Sequence, residues 1–92
     1  MGGELLTLDD CIAFGELSRD VVLAIAEHER VPELSAVAIG SELVQCIDGI
    51  QRIQSILETV IASALARGDT GYARTLETTL ANFMGEHPGV FG

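Results

Sequence analysis

The sequence predicts an all-α fold, a compact bundle of four to five helices with a long central helix around residues 49–67. Three observations carry this. Apolar residues make up 48% of the chain, yet it holds one Tyr, three Phe and no Trp, so the core is aliphatic and close-packed, as in helix bundles. Ile50, Ile53, Leu57, Val60, Ile61, Ala64 and Leu65 recur at steps of three and four, lining up one broad apolar stripe. Gly15, Pro32, Gly68 and Pro88 punctuate the chain at distances that suit helices.

The elements follow in order after an N-terminal extension over residues 1–6. Thr7 or Asp9 caps a short helix over residues 10–14, with acidic side chains at the positive end of its dipole, and Gly15 ends it. Ser18 caps a second helix from Arg19 to about Glu29. Its unbroken run from Val21 to Ala26 must be covered on most sides. Pro32 suits the first turn of a third helix that reaches about Cys46. Leu34, Val37, Ala38, Leu43, Val44 and Ile47 are its apolar positions, and Gly40 fits a close approach by a neighbouring helix.

A break at Asp48 and Gly49 is expected next, with Asp48 capping the central helix and Gln51 completing a capping-box-like pair. Gly68 closes that helix in the left-handed conformation. The short turn to Asp69 or Thr70, the next N-cap, makes the last helix, through Tyr72, Leu76, Leu80, Phe83 and Met84, an antiparallel neighbour. Pro88 stops it, leaving residues 86–92 as a loose tail. A chain of 92 residues forms one domain with a modest core, so help from a partner chain is plausible.

Charge narrows the function. Fourteen acidic residues face five basic ones, all Arg, for a net charge of −9. A surface this negative repels phosphate, which argues against direct nucleic-acid binding and against an anionic membrane. The stretch from Leu8 to His28 has a helix-turn-helix look, but its second helix opens with one basic residue, Arg19, too few to read base edges. No basic leader and no long apolar span occur, so a soluble cytoplasmic protein is expected. Cys11 and Cys46 lack zinc or redox spacing and read as buried thiols in a reducing compartment.

No catalytic constellation is expected. No serine lies in a G-x-S-x-G context, and His28 and His87 are the two candidate bases. A metal site is the sharper alternative: Glu27, His28, Glu29 and Glu33 gather three carboxylates and an imidazole near a helix end. Adjacent residues point about 100° apart on a helix, however, and no known ligand spacing is present. No cofactor is expected.

The run LTLDD from Leu6, AIAEHERVPE from Ala24, ALARGD from Ala64 and FMGEHP from Phe83 resembles a family of short, acidic, uncharacterised bacterial proteins across most of the chain. That resemblance implies a small helical fold, supplies no activity, and makes the Glu27 and His28 segment part of the family pattern. ALARGD with Tyr72 and Ala73 also resembles one tetratricopeptide-type hairpin, without the repeats of an array.

The function expected is a non-enzymatic protein-interaction or regulatory module, a homodimer or a binder of a protein partner. Its interface would be the stripe of Ile50, Ile53, Leu57, Val60 and Ile61, since Leu43, Ile50, Leu57 and Ala64 also stand seven apart like a dimer seam. The alternatives are the metal-binding protein and an acidic mimic that occupies another protein's DNA groove.

Overall fold

A computed structural model describes residues 17–91 of the protein. The expected helix over residues 10–14, the extension before it and Cys11 lie outside the described residues. Among those described, all regular structure is helical: α1 (Arg19–Glu29), α2 (Glu33–Leu43), α3 (Ile47–Ala66), α4 (Thr70–Gly85) and the single turn α5 (Pro88–Phe91).

α1 begins where the cap predicted. Ser18 Oγ accepts the Val21 amide at 3.3 Å, which satisfies one of the orphan donors of the first turn. The helix ends at Arg30, whose left-handed backbone (φ 58°) is rare for a residue bearing a side chain; the amides of Arg30 and Val31 both return to Ala26 O. Val21, Val22, Ala24 and Ile25 are buried, and α1 packs on α2, α3 and α4.

α2 follows Pro32 and stops at Leu43, three residues short of the expected end at Cys46. Gly40 allows the close approach anticipated for it: a Cβ there would stand 2.5 Å from Leu17 Cδ1 and 3.1 Å from Ile25 Cδ1. The break before the central helix is real but earlier in the chain. α3 starts at Ile47, and its N-cap is Cys46, whose Sγ accepts the Gly49 amide at 3.3 Å. Asp48 is therefore a first-turn residue, where its charge still complements the helix dipole.

α3 is twenty residues long, roughly 30 Å, and packs on every other helix. Its buried face joins Val21, Val22 and Ile25 of α1 and Ala73, Leu76 and Phe83 of α4 in one continuous core. Gly68, at φ 80°, lets the chain turn directly into α4, where Asp69 Oδ1 caps the Tyr72 amide at 3.2 Å. The tail expected to be loose instead turns once more. Pro88 starts α5, the amides of Val90 and Phe91 return to His87 O, and Phe91 sits 6.3 Å, centroid to centroid, from the buried Phe83 ring.

Candidate functional site

The stripe assigned to an interface is spent inside the chain. Ile53 and Leu57 are wholly buried, Val60 is 2% exposed, Ile50 7% and Ile61 9%, all within the one core shared with the neighbouring helices. A second copy cannot reach these five residues without opening the core. The periodicity marks a buried face, and what covers it is the same chain.

The four candidate metal ligands do not converge. Glu27 turns toward α3 and α4, His28 Nδ1 lies 2.8 Å from Oε2 of its neighbour Glu29, and Glu33 stands in the first turn of α2. Among the described residues no three His, Cys, Asp or Glu side chains form a group able to hold a metal ion. His28 and Glu29 meet each other, but Glu27 and Glu33 are engaged or placed elsewhere.

Glu27 has a different role. Its Oε2 accepts from Arg67 Nη1 at 3.4 Å and its Oε1 accepts from the Tyr72 hydroxyl at 3.3 Å, while the Arg67 guanidinium carbon lies 5.8 Å from the Tyr72 ring centroid. The cluster ties the end of α1 to the α3–α4 turn. Burial raises the Tyr72 phenol above its ordinary 10.0; the Glu27 charge and hydrogen bond raise it further, and Arg67 opposes them. Residues 40 and 45 positions away in sequence supply Glu27's partners, so no local motif could have announced the junction.

Beside it runs an open groove of about 310 Å³ lined by Glu27, His28, Arg30, Thr59, Val60 and Ser63. Ser63 Oγ accepts from Arg67 Nη1 at 3.4 Å. Among the described residues no histidine is hydrogen-bonded to a serine, threonine or cysteine. His87 is half-buried, its ring 4.6 Å from Phe83, and its buried Nε2 has no hydrogen-bond partner. Cys46 is exposed, contrary to the buried thiol expected.

The surface that does stand open is α2. No charged residue occurs between Glu33 and Glu42, yet only Ala36 and Gly40 of its eleven residues are buried. Leu34, placed among core positions by its spacing, is 59% exposed, and Ile47, just past the turn to α3, is equally so. Leu34, Val37, Ala38 and Ser41 share one helical face, with Leu34 and Ala38 exposed and the other two half-buried. A helix apolar on nearly all sides is normally enclosed.

Comparison with protein-family models, with curated proteins and with solved structures finds no match. Among the described residues no helix is long and apolar enough to cross a membrane.

Proposed function

We propose that this protein is a non-enzymatic interaction or regulatory module that docks a helix of another chain, or of a second copy, on the outer face of α2. One observation carries the reading: α2 is apolar around most of its circumference and is covered on one side, by α1 and α3. The docking mode is helix in groove, in which an amphipathic segment lays its apolar stripe beside Leu34, Val37 and Ala38. The free, exposed thiol of Cys46 fits a reducing cytoplasmic setting.

The test is a nuclear magnetic resonance titration of the full chain with synthetic amphipathic helices of basic, neutral and acidic flanks, alongside light scattering over a range of concentrations. Shifts centred on Leu34, Val37 and Ala38, or a dimer that Leu34→Glu dissolves, support the reading. A monomer whose α2 resonances no peptide moves would overturn it.

A further inference from the structure

We propose that the segment seated on α2 is an amphipathic helix from a different protein, carrying Lys or Arg on both flanks of its apolar stripe about nine positions apart. This rests on the docking reading and names the partner's chemistry.

Charge complementarity selects it. Glu33 and Glu42 mark the two ends of the uncharged stretch of α2, and the helix carries no basic residue. Nine residues at 1.5 Å each set these carboxylates about 13 Å apart along the axis. Asp48, next to the exposed Ile47, adds an acidic residue beyond the turn. Among the basic residues nearest in the chain, Arg30 lines the groove between α1 and α3, and Arg52 belongs to α3.

Self-pairing meets the opposite situation. Two α2 helices laid face to face bring together two acidic-flanked surfaces, with no basic residue on either helix to answer the carboxylates. The contact then joins two chains that each carry a net charge of −9, and like charge opposes it. A partner with basic flanks turns that repulsion into attraction while burying the same apolar stripe. It also gains from electrostatic steering toward an acidic surface.

The experiment compares two synthetic eighteen-residue helices with the same Leu and Ala stripe, one with Lys and one with Glu at the two flanking positions. Affinity for the full chain is measured at low and high salt. The Lys peptide binds about tenfold tighter at low salt, and the preference shrinks to about twofold or less near 0.5 M salt as exposed charges are screened. Glu33→Gln with Glu42→Gln removes most of the preference, and Leu34→Glu, at an exposed position and checked for unchanged helicity, weakens both peptides at least tenfold.

Equal binding of the two peptides overturns the charge selection while leaving α2 a docking face. A dimer abolished by Leu34→Glu overturns it in favour of a second copy. No binding, with the Leu34 methyls of the free monomer shielded from a soluble paramagnetic probe, means that residues 1–16 occupy the face, and overturns both this inference and the docking reading.

Discussion

Gly49, in the first turn of α3, lies directly against the backbone carbonyl of Leu43, the last residue of α2, so that any Cβ at Gly49 would run into main-chain atoms. Backbone cannot rotate aside as a side chain can. Gly49→Ala therefore destabilises the protein by about 2–4 kcal/mol, measured by urea unfolding. Gly71→Ala, in α4 with open space around the new methyl, moves stability the other way, by a few tenths to about 1 kcal/mol. Equal effects at the two glycines would refute the collision.

Leu57 and Leu34 have the same side chain in opposite surroundings, one wholly buried and one 59% exposed. Leu57→Ala costs about 2–5 kcal/mol through lost burial and the cavity left behind. Ile53→Glu puts a charge among Val, Ile and Leu side chains and abolishes the cooperative melt followed by circular dichroism. Leu34→Glu leaves the melt within about 0.5 kcal/mol of wild type. An Ile53→Glu protein that stays folded would return α3 to consideration as an interface.

Cys46 caps α3 with a sulfur, a weak acceptor, at 3.3 Å from the Gly49 amide. A hydroxyl is the better cap. Cys46→Ser stabilises the chain by about 0.5–1 kcal/mol, whereas Cys46→Ala gives no gain. Thermal denaturation under reducing conditions separates the two.

Tyr72 ionises above 10.0 because it is partly buried and because Glu27 adds negative charge and accepts its hydrogen bond. A folded-state value raised above the unfolded one gives stability that is fully present below pH 10 and is lost as pH climbs through the folded value. Phenolate absorbance on alkaline titration reads that value directly. Glu27→Gln lowers it toward 10, leaving the part due to burial, and Arg67→Gln raises it. An unchanged titration in Glu27→Gln would sink the assignment.

Local chemistry was readable from the sequence and partnership was not. Ser18, Gly68 and Asp69 act within a few residues of themselves, so their roles as caps and turn could be read from position alone. The sequence points to Asp48 as the N-cap of α3 where the structure has Cys46, because a thiol ranks low among caps and the collision that demands Gly49 depends on where α2 ends. Ile50, Ile53, Leu57, Val60 and Ile61 announced burial, but periodicity contains no information on whether the covering surface belongs to the same chain. The α2 face was hidden for the converse reason: Leu34 has core spacing, and only the packed structure shows what it lacks. Phe91 was lost to the tail because its contact with Phe83 needs Pro88 to open a turn and not merely to end one.

The Glu27 junction has a spectroscopic consequence. The chain has one tyrosine and no tryptophan, so its emission on excitation beyond the phenylalanine band comes from the phenol that bridges α1 and the α3–α4 turn. A phenol hydrogen-bonded to a carboxylate is quenched, and it brightens when the bond parts. The protein thus carries its own unlabelled gauge of whether those three helices remain closed, readable in a cuvette while a peptide, salt or denaturant is added.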